Sequence, residues 1–302
     1  MKKSVFAFLA VVLVLFAVIT LVKSPSEPVE VPGDSDTLTS ARKENVRRFW
    51  ATYRRATDHR MDGRMEAAAD AYREALTLNE AHEDALYYLG NVLLELGHFE
   101  NARQAWERLV HLNPTSARGH AQLGNVHFCP EQEALFDLEA AEAAFARALE
   151  INKEETGPLL RLGQVTLVQG DLSKAQDFFD AVTGSNHRSV DAFYLKGYIA
   201  WKRGATRQAS TLLAQAVRLT QPETPPEGVP GEGVPGEGVP GEGVPGEGDT
   251  KAGAQPMTAS TSRCQVFQPF IEEVTLVPPT ELASDLDRWY QKLDAYLQQL
   301  RR

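Results

Sequence analysis

Few residues in this 302-residue chain are of a type and spacing that suggests chemistry. His120, His127 and Cys129 lie close together and carry the nitrogen and sulfur donors that transition metals take. Both histidines stand where the local pattern places core side chains, so core histidines are expected rather than ligands. Cys129 and Cys264 are the only thiols. They either pair in an oxidising compartment, tying the tail to the middle of the chain, or stay free, and both readings are open. Asp34-Ser-Asp36 has carboxylates for a cation, but an isolated acidic pair reads as solvated surface. Gly231-Glu-Gly233-Val-Pro-Gly236 matches a dinucleotide fingerprint, yet no strand precedes it and proline interrupts it. Gly-x-Ser-x-Gly, His-Glu-x-x-His, Cys-x-x-Cys and a phosphate-binding loop are all missing. No catalytic residue, metal or cofactor is expected, and an enzyme is not expected.

Composition narrows the classes further. A net charge of -10 argues against a nucleic-acid partner, because phosphate binding needs an excess of Lys and Arg. Two cysteines are too few for a disulfide-stapled scaffold. Val5 to Val22 is an apolar run broken by Thr20 and preceded by Lys2 and Lys3. Eighteen helical residues span about 27 Å, close to the hydrocarbon thickness. The run ends without a small-x-small site or a lipobox cysteine, which favours an uncleaved signal-anchor over a cleaved, secreted form. The positive-inside tendency places residues 1–4 in the cytoplasm and everything beyond the span outside it, in the periplasm of a bacterium. Residues 23–45, rich in Pro, Ser, Asp and Glu, read as a flexible stalk.

The middle of the chain repeats. Leu89-Gly90, Leu123-Gly124, Leu162-Gly163 and Lys196-Gly197 align. Ala102, Ala175 and Ala209 follow twelve residues after their glycines, then Trp106, Phe179 and Leu213 four residues on. Ala141 and Phe145 fit once about five inserted residues, around Pro130 to Glu139, are allowed, and Ala56, Gly63, Ala68 and Tyr72 form an earlier copy. Apolar residues recur at three- and four-residue intervals, so each copy predicts two amphipathic helices. Gly63, Gly97, Gly170 and Gly204 fall at the turns between them. The small residues are expected to bring paired helices together, with the large residue at position 24 filling the space between successive repeats. Arg55 and Lys196 replace Leu in the outer copies, as expected where a terminal face meets water.

This pattern resembles the tetratricopeptide repeat family. The resemblance implies an all-α fold, a right-handed superhelical solenoid of five helix-turn-helix units at 49–82, 83–116, 117–155, 156–189 and 190–223 within an array spanning 46–223. It also implies a protein- or peptide-binding groove lined by the first helix of each unit, at positions 2, 5, 9, 12 and 13. These positions carry over to Tyr87, Asn91 and Leu94, to Arg118, Asn125 and Phe128, to Gln164 and Leu167, and to Tyr194, Tyr198 and Trp201. The last three are the preferred hot spot, with docking of the C-terminal helix as the rival reading of that face. The carboxylate clamp of chaperone-binding relatives is not reproduced: Asn91 and Arg161 match it, but Tyr87 and Gly157 stand where lysines are expected.

Beyond the repeats, Val-Pro-Gly-Glu-Gly occurs four times between Val229 and Gly248, and residues 224–262 read as a disordered linker. Residues 264–277 form an apolar patch expected to pack as an extended segment. Thr280 is placed to cap an amphipathic helix over 280–302, with Leu282, Leu286, Trp289, Leu293, Tyr296 and Leu300 on one face. That helix docks on the array, pairs in a short coiled coil, or binds a partner. The expected whole is a membrane-anchored, extracytoplasmic adaptor that binds a protein or peptide and serves assembly of an envelope complex. The alternative is a structural spacer whose groove is filled by its own C-terminal helix.

Overall fold

The computed structural model describes residues 35–131, 135–221, 263–277, 282 and 285–302. The expected membrane span at 5–22, the first part of the stalk, the linker 224–262 and the Thr280 cap lie outside the described residues. Among the described residues no helix is long and apolar enough to cross a membrane. Two compact parts are distinguished, residues 1–48 and residues 49–302. In the first, residues 35–48 are helical and Arg47 donates to Glu44 at 2.9 Å. The helix α1, Ser35–Met61, therefore begins inside the segment expected as stalk. Its cause is local: beyond Ser40 the sequence holds good helix formers and no Pro or Gly until Gly63.

The second part is all-helical in its described residues. After α1 come α2 Met65–Leu78, α3 Glu83–Glu95, α4 Phe99–Leu112, α5 Ala117–His127, α6 Leu138–Ile151, α7 Thr156–Gln169, α8 Leu172–Ser185, α9 Val190–Lys202 and α10 Thr206–Thr220. They pair as hairpins α3/α4, α5/α6, α7/α8 and α9/α10, each packed on its neighbours in the chain. The turn glycines Gly63, Gly97, Gly170 and Gly204 have φ between 75° and 96°, a left-handed backbone that costs other residues energy. The third repeat has no such glycine, because its inserted residues replace the tight turn.

The other ends of the hairpins carry a second signature. Asn79, Asn113, Asn152 and Asn186 each terminate the second helix of a repeat, the N–H donating back to the carbonyl four residues earlier. The Asn113, Asn152 and Asn186 side chains accept from the backbone two residues ahead, forming the turn into the next repeat. Ser116 and Ser189 then cap the following first helices.

The glycines at repeat position 8 work differently from the sequence expectation. A β-carbon on Gly90, Gly124 or Gly163 would overlap Trp106, Phe145 or Phe179, the large residue at position 24 of the same repeat. Position 24 thus lies in a notch of its own hairpin, and Ala68, Ala102, Ala141, Ala175 and Ala209 are all fully buried beside it. Lys196, expected at a water-facing end, pairs instead with Asp180 of α8 at 2.6 Å, and only 14% of its side chain is exposed.

Two apolar cores result. One joins Ala56, Tyr72, Leu86, Trp106 and Val126 of the first three repeats. The other joins Phe145, Leu162, Phe179, Tyr198 and Leu213 of the later repeats with the chain's C-terminal residues. Those residues form α11, Gln268–Thr275, and α12, Leu286–Leu300. The extended segment expected over 264–277 is a correction: Phe267, Ile271 and Val274 repeat at four and three residues and bury one helical stripe. The terminal helix is likewise shorter than 280–302. Cys129 and Cys264 are bonded, with a Cα–Cα distance of 4.3 Å, and both lie in the first core. The tail therefore starts in one core and continues in the other.

Candidate functional site

Where the groove was expected, the chain divides it. Tyr87, Asn91 and Leu94 of α3 and Asn125 of α5 line a cleft of 260 Å³. It is completed by residues the sequence reading missed or set aside: Arg60, Tyr88, Gln122, Arg161 and Arg263. Tyr88, Gln122 and Arg161 share repeat position 6 in the second, third and fourth repeats, a register that lay outside the carried-over positions. A second cleft of 360 Å³ shares Tyr87, Gln122, Asn125 and Arg161 and adds Arg118 and Asp191.

Hydrogen bonds hold much of this wall in place. Gln122 Nε2 donates to the Tyr87 hydroxyl at 3.4 Å, and Asn125 Nδ2 donates to Gln122 Oε1 at 2.9 Å. Arg118 pairs with Asp84 and lies over the Tyr87 ring at 4.8 Å. Arg60 lies over Tyr88 at 4.6 Å, and Arg161 donates to Gln164 Oε1 at 3.0 Å. Among the described residues, the buried atoms Asn91 Oδ1 and Arg60 Nε have no hydrogen-bond partner. Asn91 is only 9% exposed, so its acceptor is withheld from bulk water at a cost of about 1–3 kcal/mol. Burial pushes the Asp191 carboxyl above its ordinary range and the Arg161 guanidinium below its own, each partly offset by the other's charge. In a chain of net charge -10, a wall with Arg60, Arg161 and Arg263 against Glu95 favours an anionic occupant.

The remaining candidates are elsewhere. Phe128 and Leu167 are core residues, 1% and 0% exposed, in the cluster that contains Phe267 and Ile271. Gln164 is buried behind Arg161. Tyr194, Tyr198 and Trp201 meet α12. Tyr198 donates to Asp294 Oδ1 at 2.6 Å, Trp201 Nε1 donates to Asp287 Oδ1 at 2.7 Å, and Tyr290 donates to the Tyr194 carbonyl at 3.3 Å. Arg301 reaches further, donating to the carbonyls of Val168 at 2.6 Å and Leu167 at 2.8 Å, where α7 ends. His120 and His127 contact the backbone carbonyls of Pro114 and Leu135, and Cys129 is consumed by its disulfide.

Comparison with known proteins finds a family match over part of this geometry. Residues 59–124 match the tetratricopeptide repeat family. That stretch contains the α3/α4 hairpin and the Gly90–Trp106 notch described above. Among solved structures, the MamA protein is 21% identical, covers 57% of this chain and 91% of its own, with a TM-score of 0.50. MamA residues 41-end from Desulfovibrio magneticus RS-1 is 13% identical over 57% of this chain and 94% of its own, at 0.51. PilW, a type IV pilus biogenesis factor, is 15% identical over 57% and 77%, at 0.50. At these identities the likeness is one of fold: an all-helical solenoid of tetratricopeptide type. No curated protein matches the sequence.

Proposed function

We propose that the chain is a non-enzymatic adaptor whose tetratricopeptide repeats hold an extended, acidic peptide segment of another protein in the cleft of the second to fourth repeats. The observation that carries this reading is that Asn91 and Arg60 line one cleft and each keeps a buried atom, Oδ1 and Nε, with no hydrogen-bond partner among the described residues. A peptide unit supplies both missing partners, an N–H for the oxygen and a carbonyl for the guanidinium. Tyr87 and Tyr88 add aromatic area with few rotors to freeze. Arg161, held away from water, gains from a carboxylate on the same peptide.

In this reading residues 5–22 anchor the protein and the repeats stand on the extracytoplasmic side. The charges flanking the apolar run support that orientation, and the Cys129–Cys264 bond suits an oxidising compartment. A role in assembling an envelope complex fits such an arrangement, and PilW, a neighbour in fold, is a pilus biogenesis factor.

Placing a photo-crosslinking residue at Asn125 in native membranes tests the reading. A defined crosslinked species is expected, lost on Asn91→Ala and retained on Trp201→Ala. A crosslink unaffected by Asn91→Ala, or none at all, would show that the cleft is not where a partner binds.

A further inference from the structure

One face of α9 meets α12 through a row of directional polar bonds around an aromatic cluster. Asp287, Tyr290 and Asp294 lie at i, i+3 and i+7 on α12, along one stripe. Tyr290 sits centrally, its ring 5.6 Å from Tyr194 and 6.0 Å from both Tyr198 and Trp201. The carboxylates flank it, Asp287 on the Trp201 indole and Asp294 on the Tyr198 hydroxyl and the Lys202 ammonium at 2.9 Å. Directional, charge-assisted bonds of this sort read a sequence, where a plain apolar seam reads only shape.

The fit is also incomplete. Tyr194 Oη, on the α9 side of this contact, is buried with no hydrogen-bond partner among the described residues. A resident helix that strands a donor of its seat is one that a better-matched helix displaces. The tail is held independently at its start by the Cys129–Cys264 bond, by Glu131 on the Cys264 N–H and by the buried stripe of α11, so α12 can leave α9 without freeing the tail.

We propose that the α9 face of the fifth repeat is a recognition site for an acidic amphipathic helix, and that α12 is its tethered resident, occupying the site until a client helix with the same acid–aromatic–acid stripe replaces it. The client carries carboxylates three residues before and four after an aromatic residue, with an acceptor able to reach the Tyr194 hydroxyl. This site is separate from the cleft of the second to fourth repeats and does not depend on what that cleft holds.

A labelled peptide with the sequence of residues 285–302, titrated against the full chain, tests the proposal. The chain carrying Asp287→Ala and Asp294→Ala, whose own helix is weakened, is expected to bind the peptide at least tenfold more tightly than the unaltered chain. Adding Trp201→Ala should remove that binding, while adding Asn91→Ala should leave it unchanged. A second reading needs no substitution: in the unaltered chain, excess peptide should speed hydrogen exchange of the α12 amides without speeding that of α10. Absence of peptide binding to the doubly substituted chain, binding that survives Trp201→Ala, or α12 amides that exchange only together with those of α10 would each overturn the proposal.

Discussion

Gly197 faces the phenol of Tyr290: a β-carbon there would overlap Tyr290 Oη. In the second, third and fourth repeats the same position faces the repeat's own Trp106, Phe145 or Phe179. The fifth repeat has Leu213 at position 24, too short to fill the notch, and the aromatic ring arrives instead from α12. The relationship separates two substitutions that look alike in sequence. Gly124→Ala presses on a ring inside its hairpin and should destabilise the whole fold by about 1–3 kcal/mol in chemical denaturation. Gly197→Ala should instead loosen α12, seen as faster hydrogen exchange there, with the denaturation midpoint of the repeats nearly unchanged.

Asn91 separates stability from binding. Its buried oxygen has no partner, so Asn91→Leu should leave the protein as stable or more so, by up to about 1 kcal/mol, since an unsatisfied acceptor is removed. The same change should abolish the Asn125 crosslink. A fall in melting temperature would mean that Asn91 supports the fold.

The disulfide closes a loop between residues separated by 135 positions. Chain-entropy arguments give such a cross-link about 2–5 kcal/mol. Urea unfolding with and without a reductant should differ by that amount. Because Glu131 also accepts from the Cys264 N–H and from Arg263, at 3.1 and 3.3 Å, the first amides to lose protection on reduction should be those at 263–267.

Acid should release α12. Burial raises the Asp294 carboxyl, but hydrogen bonds from Tyr198 and Lys202 outweigh it and hold the group below its ordinary value. A depressed carboxyl stabilises the fold above its unfolded pKa, about 3.9, and loses that contribution as pH falls through its folded value. Protection of α12 should therefore be constant from neutrality to about pH 4 and decline below it. Asp294→Asn should flatten that decline. Trp201 fluorescence, quenched or shifted as α12 leaves, provides the readout.

Much of the architecture is legible in residue order alone. The spacing of Leu-Gly, Ala and the aromatic residue at position 24 places five hairpins, and the turn glycines mark where they reverse. Recurrent Asn79, Asn113, Asn152 and Asn186 carry a further signal in the same register, at the end of each second helix. What order does not reveal depends on which surfaces meet. Phe128 and Leu167 occupy groove positions by register, yet they are buried in the core that the tail completes, and no local pattern announces that. Arg161 and Gln122 line the cleft from position 6, a register outside the carried-over groove positions. The α11 stripe reads as an extended patch because Pro269 interrupts it, yet Pro269 sits in the first turn, a place that tolerates proline. Pairing of Cys129 with Cys264 requires two distant segments to meet, which spacing cannot supply.

One outcome of that bond concerns the pentapeptides. Gln221 ends α10 on one side of them, and Cys264 is fastened to Cys129 on the other. A protease that cuts anywhere from 222 to 262 therefore leaves a single covalent molecule, its two pieces joined through sulfur. Gain or loss of Val-Pro-Gly-Glu-Gly copies is similarly cheap, since doubling a connecting loop costs only about 0.6 kcal/mol. The number of copies is thus free to drift between lineages while the terminal helix keeps its seat.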